Sequence, residues 1–431
     1  MKKIIISIAA ILTSIVSVAQ TGTNSPYSQF GFGELTGEVS GFNNAMNGVG
    51  IGFSEGNQVN YLNPASYSSL DSLTFIFDMG MSLQMTNFEE NGKRRNANNA
   101  KFDYAVAGLR LAKKLGLSFG LVPFTQIGYN FSTLSTIGTS QSKLEYAKTY
   151  QGSGGLRQVY LGLGYEPIKN LSIGVNAAYV WGEYSHILAN TYSDNTVNAI
   201  TMTNSADINT YKIDFGLQYK AQITKKDNVT IGLTYGLGHK IGNDPTCVLS
   251  SVNNSTNTTN VDNYNIDGGL KLPHMFGAGL MWQHGNMWKV GVDYTQQQWA
   301  DTGFPILIST DNSQQFVLND NYFMNRHRIV LGGEYCRNRQ SRNFFQRIRY
   351  RAGAGYATPY YKVGSNDGPK EYSVSAGFGI PIVNGYNNRS ILNISGQWVR
   401  QQAAGMLKEN TFRICVGLTF NERWFQKWKF E

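Results

Sequence analysis

The sequence predicts an all-β chain that closes into a transmembrane barrel of about fourteen antiparallel strands, with an N-terminal segment inside the lumen. Three observations predict this fold class. Apolar and polar residues alternate with a period of two from about residue 73 to 421. The alternating segments are about ten to sixteen residues long, which is closer to a tilted membrane strand than to the roughly five or six residues of a soluble strand. Their polar face is rich in glycine, which suits a filled lumen better than a solvated surface.

The beginning of the chain predicts export. Two lysines precede an apolar run over residues 4–18, and Ser17-Val18-Ala19 supplies the small residues that a signal peptidase accepts. We therefore expect residues 1–19 to be a signal peptide. No later segment approaches eighteen uninterrupted apolar residues, so the sequence offers no candidate for a helical membrane span.

Composition narrows the class of protein further. The chain has 47 glycines, 25 tyrosines and 23 phenylalanines, but only 15% of its residues are charged. The formal net charge is +9, yet the basic residues form no block of the kind that binds nucleic acid, and export also argues against that partner. The three cysteines have neither metal nor redox spacing, and an odd number argues against a disulfide framework.

The alternation is clearest in the last predicted strand. Between residues 410 and 421 one face is apolar and the other is polar or small: Phe412, Ile414, Val416, Leu418 and Phe420 oppose Thr411, Arg413, Cys415, Gly417 and Thr419. About fourteen such segments begin near residues 74, 101, 116, 155, 170, 208, 227, 272, 286, 322, 346, 370, 390 and 409. An even number is what bacterial barrels require.

The predicted connections alternate in length. Those after even strands are short, as in LAKKLG and ITKKDN. The exception is the basic turn CRNRQSRNF, which is longer than the other connections after even strands. Those after odd strands are mostly long and polar, as in TLSTIGTSQSKLEYAKTYQ and NDPTCVLSSVNNSTNTTNVDNYN. Because periplasmic turns are short and external loops are long, we expect both termini of an outer-membrane barrel in the periplasm, with residues 422–431 as a periplasmic tail.

Residues 20–72 lack sustained alternation and precede the predicted barrel at 73–421. A barrel this wide must fill its interior or leave a channel, so we expect this segment to be a hatch inside the lumen. Its stretch NYLNPASYSS combines an Asn-Pro turn with two tyrosines and a leucine. We therefore expect Asn63, Pro64 and Ala65 to form a hatch turn against the lumenal wall. The alternative is a disordered periplasmic leader.

Three segments carry a resemblance to a known family. GFNNAMNGVGIGFSEGNQVNYLNPASYSSL resembles the hatch of the FadL/TodX-like outer-membrane transporters of hydrophobic compounds, which contains an Asn-Pro-Ala turn. GSGGLRQVYLGLGYEPIKNLSIGVNAAYVWG and LPHMFGAGLMWQHGNMWKVGVDYTQQQW resemble barrel segments of that family, and the overall pattern is similar to its Bacteroidetes branch. The resemblance implies passive uptake of small hydrophobic or amphipathic compounds, fatty-acid-like or aromatic. The expected partners are such a ligand and outer-membrane lipids, with no cofactor.

Two other functions stay open. The PorV-like subunits of type IX secretion resemble this branch and bind exported proteins, so a protein-interaction barrel is the alternative to transport. An enzyme is a third hypothesis, because a Ser-His pair is a spatial arrangement that a sequence does not display. The five histidines are scattered without metal-ligand spacing, so we expect no metal site.

Pro123 falls inside the predicted third strand, in GLSFGLVPFTQIGYN. A proline in a closed barrel leaves one hydrogen bond of the ladder unmade, so it predicts a bulge or a kink. The family resemblance implies a use for such a kink, which is a lateral window from the lumen to the membrane. Pro123 and Phe124 are the candidates for its border. The alternative is a proline just beyond the hydrocarbon zone.

A set of arginines forms the second candidate site. The alternation places six of them on the polar face of predicted strands ten, eleven and fourteen: Arg326, Arg328, Arg347, Arg349, Arg351 and Arg413. Because charge on the lipid face is costly, we expect a lumenal basic column. Two roles are open for it. The column pairs with carboxylates of the hatch, where Glu34, Glu38 and Glu55 are available, or it binds the carboxylate of an amphipathic ligand.

Overall fold

A computed structural model describes residues 22–37, 39–139, 142–310, 313–382 and 390–422. The predicted signal peptide, Glu38 and residues 423–431 of the predicted tail lie outside the described residues. Within the described ranges, no helix is long and apolar enough to cross a membrane.

The predicted fourteen-stranded antiparallel barrel is confirmed. Each strand pairs with its neighbours in the chain, and the last strand pairs with the first from Phe75↔Glu422 to Glu89↔Lys408. The strands are β1 (Phe75–Glu90), β2 (Lys93–Ala112), β3 (Leu115–Pro123 and Thr125–Thr139), β4 (Ser142–Ile168), β5 (Leu171–Tyr192), β6 (Ala199–Gln222), β7 (Asp227–Gly236), β8 (Met275–His284), β9 (Trp288–Gln297), β10 (Arg326–Tyr335), β11 (Arg349–Ala357), β12 (Lys370–Ile382), β13 (Ser390–Gln402) and β14 (Lys408–Glu422). We call the end where β1 begins the termini end and the opposite end the loop end.

The two faces of the wall are those that the alternation predicts. On β14 the apolar side chains point outward, and Ile414 is 60% exposed. The polar side chains point inward, and Thr419 is fully buried. A chain that exposes its apolar face and buries its polar face is built for an apolar solvent, because the same arrangement would be strongly unfavourable in water.

The strands differ greatly in length around the barrel. β8 and β9 have 10 residues each, which is close to the roughly 9–11 residues that cross a membrane. By contrast, β4, β5 and β6 have 27, 22 and 24 residues. They continue past the loop end together with the second part of β3 and with the hairpin Thr246–Asn253/Thr258–Asn265, which pairs with β6. We call this extended sheet the tall wall.

The expected long loop over residues 133–151 is wrong. Residues 133–139 continue β3 and residues 142–151 belong to β4, and the two strands stay paired out to Thr139↔Ser142. The segment is polar enough to read as a loop, but its threonines and tyrosines favour extended structure when a neighbouring strand is available. The segment 243–265 also contains a hairpin. The β1–β2 connection is a tight turn at Asn91 and Gly92, with Glu90↔Lys93 paired.

The described N-terminal segment, residues 22–72, is here called the leader. It contains three short 3-10 helices, Pro26–Gln29, Asn44–Met46 and Pro64–Ser69, and a two-residue strand, Glu34–Leu35. Its side chains join three apolar clusters with inward-facing residues of the wall. One surrounds Phe32 at the loop end, a second surrounds Tyr67, and a third surrounds Met46 and Phe53. The leader therefore packs against the inner face of the barrel.

Glycines of the inner face lie where the leader backbone touches the wall. A Cβ atom at Gly174 would overlap the backbone of Pro64 and Ala65. One at Gly216 would overlap Asn63, and one at Gly232 would overlap the Ile51 carbonyl. These glycines of the polar face therefore lie along the leader, since only a residue without a side chain lets the leader approach the wall this closely.

A single added methyl group tests this contact. We expect Gly174→Ala to destabilise leader docking by about 1–3 kcal/mol, because the new Cβ overlaps backbone that has no room to move. The same substitution at Gly396, whose Cβ would meet nothing within 4 Å, is the matched control. The measurement is the temperature at which the leader becomes sensitive to protease in the purified protein. Equal sensitivity of the two variants would contradict the contact.

Candidate functional site

The wall has a gap between β2 and β3. The β2–β3 ladder runs from Ala112↔Leu115 to Ala105↔Leu121 and ends there. Beyond this point, β2 pairs only with β1, up to Glu90↔Lys93, and the second part of β3 pairs with β4. In the described part of the chain, no pairing joins β2 to the second part of β3. This half of the barrel wall is therefore open between two neighbouring strands.

The third strand bends where the gap begins. Its first part ends at Pro123, which faces Arg157 of β4, and its second part starts at Thr125. Phe124 stays bonded to β4, since its N–H donates to the Leu156 carbonyl (2.7 Å), while its ring is buried in the loop-end cluster. Two consecutive glycines of β4, at positions 154 and 155, have φ of 122° and 129° and accommodate the bend. Pro123 and Phe124 thus lie at the edge of the gap.

The leader occupies the free edge of β3. Its strand pairs with β3 as Glu34↔Gln126 and Leu35↔Thr125. Thr36 continues the contact, because its N–H donates to the Phe124 carbonyl (3.1 Å) and its hydroxyl donates to the Pro123 carbonyl (2.6 Å). Buried backbone groups need such partners, and in a membrane water cannot supply them. The leader therefore supplies hydrogen bonds that β2 leaves unmade.

A cavity of about 190 Å³ lies behind the gap. Both edges of the gap line it, through Lys101 and Asp103 of β2 and through Pro123, Phe124 and Gln126 of β3. Its charged side chains carry both signs: Glu34, Lys101, Asp103, Lys212, Asp214, Arg326, Arg328, Glu371 and Arg413. These nine charged side chains stand among apolar and aromatic ones, and they favour a ligand that carries polar groups beside an apolar part.

The predicted basic column divides into two groups. Three of its arginines line the cavity. Arg326 pairs with Glu371 (3.3 Å), Arg328 donates to the Asn47 carbonyl of the leader (2.7 Å), and Arg413 donates to the Gln84 side chain (3.0 Å).

Arg347 lies outside the column, so its expected strand position is wrong. It ends the short helix Phe344–Arg347, and β11 begins only at Arg349. The cause is local, because the Asn343 side chain accepts the Phe345 N–H (3.0 Å) and starts a helical turn.

Arg349 and Arg351 belong to a buried ionic cluster near the termini end. Glu55 of the leader accepts from Arg349 (2.8 Å), Lys289 (2.6 Å) and Arg339 (2.6 Å). Glu334 of β10 accepts from Arg351 (2.8 Å). We call these six residues the anchor cluster. It joins the leader to β9, β10, β11 and the turn between β10 and β11.

The cations of the anchor cluster keep Glu55 ionised. Burial by itself raises the pKa of Glu55, but Arg349, Lys289 and Arg339 outweigh burial and hold that pKa well below its ordinary value. The sequence named Glu55 among three candidate carboxylates and Arg349 among six candidate arginines, but it missed Lys289 and Arg339. The signal for Arg339 was the unusually long basic turn CRNRQSRNF, which folds back onto the cluster.

The hatch turn is held by side-chain amides and a carboxylate. The Asn63 side chain is fully buried, accepts the Ala65 N–H (3.1 Å) and donates to the Ile51 carbonyl (2.9 Å). Asp293 of β9 accepts the backbone N–H groups of Gly50 (2.6 Å) and Ile51 (2.9 Å). These bonds fix residues 50–65 against the wall, with Pro64 at the first position of its helix.

The five histidines make separate side-chain contacts. They contact the side chains of Tyr129, Thr210, Tyr235, Asp227 and Tyr294. None of these side-chain contacts in the described part of the chain is to a serine. The described residues also contain no group of histidine, cysteine, aspartate or glutamate side chains arranged to hold a metal ion.

Fold and contacts together define a fourteen-stranded barrel whose wall is open beside a kinked third strand and whose leader packs on the inner face. A family model described as BamG matches residues 1–431, so the chain belongs to the BamG family. No curated protein sequence matches the chain.

Solved structures show the same fold at low sequence identity. The CymD monoaromatic hydrocarbon channel has a TM-score of 0.60 and 15% identity, over 92% of this chain and 100% of that one. The Pseudomonas putida toluene transporter TodX has a TM-score of 0.60 and 16% identity, over 91% and 99%. A Pseudomonas aeruginosa FadL homologue has a TM-score of 0.57 and 12% identity, over 90% and 98%. The resemblance to the FadL/TodX-like fold is confirmed.

The anchor cluster can be tested by removing one charge. We expect Glu55→Gln to weaken leader docking by about 3–5 kcal/mol, because the loss of one partner leaves buried cations uncompensated. The measurement is hydrogen exchange of the leader amides between residues 44 and 69. Glu89→Gln is the control, since it breaks the Arg94–Glu89 pair, in which Arg94 is 76% exposed, and such pairs contribute no more than about 1 kcal/mol. Unchanged exchange in Glu55→Gln would show that the cluster does not hold the leader.

Proposed function

We propose that this protein is an outer-membrane barrel that passes small hydrophobic or amphipathic compounds from its lumen sideways into the membrane, through the gap beside β3. The observation that carries the proposal is the ended ladder between β2 and β3, with the free edge of β3 taken by the leader strand Glu34–Leu35. A free strand edge is unusual in a closed barrel, because unpaired backbone N–H and C=O groups are energetically unfavourable in a membrane.

The leader is suited to act as the gate. Its strand pairs with β3 over two residues, whereas neighbouring wall strands pair along most of their length. A short ladder is easily exchanged for contacts elsewhere, and the three free cysteines place no disulfide between the gate and β3. When residues 34–36 move inward, the cavity behind them opens toward the membrane between β2 and β3.

The same leader segment also closes the loop end. Phe32 is buried among Tyr184, Trp299, Phe304 and Phe323, with ring centroids 5.8–6.2 Å from its own. Phe32 lies two residues before the gate strand, so one displacement loosens both closures. A compound that enters among the loop-end aromatics can thereby reach the cavity and then the gap.

The comparison structures support the class of compound. The titles of CymD and TodX describe a monoaromatic hydrocarbon channel and a toluene transporter. A shared fold with a small hydrophobic cargo favours the same class here, with membrane lipid as the acceptor. No energy-coupling element is needed, because transfer follows the concentration gradient.

The lengths of the connections support the orientation. The turns at the termini end are short, as at residues 169–170 and 285–287, while the connections over residues 237–274 and 298–325 lie at the loop end. Since periplasmic turns are the short ones in outer-membrane barrels, we place both termini in the periplasm and the tall wall outside the cell. The leader, residues 22–72, is then the plug of the barrel.

The tall wall favours a second candidate, a protein-interaction barrel. Its strands are far longer than a membrane crossing requires, and its β3–β4 hairpin exposes Leu134 (86%) and Ile137 (51%). Exposed apolar residues outside the membrane are typical of contact surfaces. In this role the lumen stays closed, so locking the gate would leave function unchanged.

A disulfide across the gate separates the two roles. We expect Glu34→Cys/Gln126→Cys, in a chain with Cys247, Cys336 and Cys415 replaced by alanine, to abolish uptake of labelled toluene or dodecanoate when oxidised and to restore it when reduced. Facing Cα atoms of an antiparallel pair lie about 4.5–5.5 Å apart, within the range of about 4.4–6.8 Å that a disulfide spans. The measurement is uptake by cells that express each variant.

The matched control is a disulfide elsewhere in the wall. Thr86 and Thr411 face each other on β1 and β14, and their hydroxyls are 2.9 Å apart. Oxidised Thr86→Cys/Thr411→Cys should transport as the unmodified chain does, since this ladder does not open. Full uptake by the oxidised gate variant would rule out passage through the gap.

A further inference from the structure

We infer that the part of the cavity next to the gap binds a zwitterionic head group, so that the preferred cargo is an amphipath carrying both charges rather than a hydrocarbon or a simple fatty acid. The inference rests on the proposed function for the route that the cargo takes. It concerns the binding site itself, which can be measured without transport.

A β-bulge aims two charged side chains into this part of the cavity. The β1–β2 register shifts between Gly80 and Met81, where Gly80 pairs with Tyr104 and Met81 with Phe102, so Asp103 has no partner in the ladder. The extra residue exchanges the two faces of β2 beyond it. Without the bulge, Lys101 and Asp103 would point at lipid, and with it they line the cavity.

Neither charge has its full set of partners. Asp103 accepts one hydrogen bond, from the Ser82 hydroxyl (2.9 Å), while its Oδ2 is buried without any partner. Among the described residues, none forms a hydrogen bond or an ion pair with the Lys101 ammonium, although Asp103 is among its nearest charged neighbours. A buried, unpaired carboxylate oxygen is strongly unfavourable. The site therefore suits a ligand that supplies a donor to Asp103 and an acceptor to Lys101.

The charges around this pair select a zwitterion. Arg413 lies near Lys101 on the positive side, and Glu34 adds a second carboxylate on the negative side. A simple carboxylate would meet Lys101 and Arg413 favourably but would be repelled by Asp103 and Glu34. A simple cation would be attracted by Asp103 and Glu34 but repelled by Lys101 and Arg413. A hydrocarbon would give none of these groups a partner. A head group with adjacent positive and negative charges satisfies both sides.

The same bulge provides for the apolar part of the ligand. It turns Phe102 to the outer face, opposite Met81, which is 44% exposed. Leu121, where the β2–β3 ladder ends, lies on the other side of the gap. A molecule with its head at Lys101 and Asp103 can therefore extend its tail through the gap and along an apolar outer rim.

Binding of amphipaths that differ only in their head group tests the inference. The probes are N-dodecyl-N,N-dimethylglycine, dodecanoate, dodecyltrimethylammonium and dodecanol, which are zwitterionic, anionic, cationic and neutral. Equilibrium dialysis against the full chain in lipid nanodiscs measures binding, with empty nanodiscs as the blank for partition into lipid. We expect the zwitterion to bind on the order of tenfold more tightly than dodecanoate, since each charged hydrogen bond contributes on this scale.

Two variants should shift the preference in opposite directions. Lys101→Gln removes the partner of the anionic group, so the preference should move toward dodecyltrimethylammonium. Asp103→Asn removes the partner of the cationic group, so the preference should move toward dodecanoate. Lys114→Gln, which breaks an ion pair with Glu166 on the outside of the termini end, should change neither. The heat-modifiable gel mobility of a folded barrel confirms that each variant is folded.

A uniform loss of binding to all probes in both variants would assign Lys101 and Asp103 a structural role only and overturn the inference. Equally tight binding of dodecanol by the unmodified chain, or no binding of any probe, would overturn it as well. A different result would contradict the proposed route, namely full uptake by cells that express the oxidised Glu34→Cys/Gln126→Cys variant. A head-group preference together with unblocked uptake would thus retain the site and reject the gate.

Discussion

The rest of the structure depends on one constraint, which is that every backbone N–H and C=O group within a membrane must find a partner in the protein. Thirteen of the fourteen neighbouring strand pairs satisfy it along the wall, as a barrel normally does. The pair β2–β3 satisfies it only as far as Ala105↔Leu121. From there the leader bonds to residues 123–126 of β3, so a segment outside the barrel wall has become part of its hydrogen bonding. In the proposed function, opening of the wall therefore depends on the position of the leader.

The leader is held unequally along its length. Around Glu55 it is fixed by the anchor cluster, in which cations from two wall strands, β9 and β11, and from one turn converge on two carboxylates. Around Asn63 it lies in backbone contact with inward glycines. Around Glu34 it is bound to β3 by a two-residue ladder. Motion of the leader is therefore expected at the gate strand, while the ionic anchor and the hatch turn keep the rest in the lumen.

Irregularities of the strands cluster at one level of the wall. The bulge at Asp103, the break after Pro123 and the positive φ angles at Gly154 and Gly155 lie on successive strands β2, β3 and β4. Each one locally changes which face a residue presents or how the strand bends. Together they turn charges into the cavity, interrupt β3 at Phe124 and leave the gap. A regular ladder at these positions would give a closed wall with Lys101 and Asp103 facing lipid.

The sequence by itself determined the barrel, the strand number and the two faces. Alternation of apolar and polar residues with a period of two assigns each side chain to the lipid face or to the lumenal face. It also indicated the break at Pro123, since proline cannot complete a ladder. Tertiary structure alone decided that residues 133–139 and 142–151 are strands, and that Lys289 and Arg339 join Glu55. It alone placed Lys101 and Asp103 at the gap, because a bulge changes the face of a residue without changing the local pattern. Those features depend on which segments pair or pack together in space, and the order of neighbouring residues does not encode these contacts.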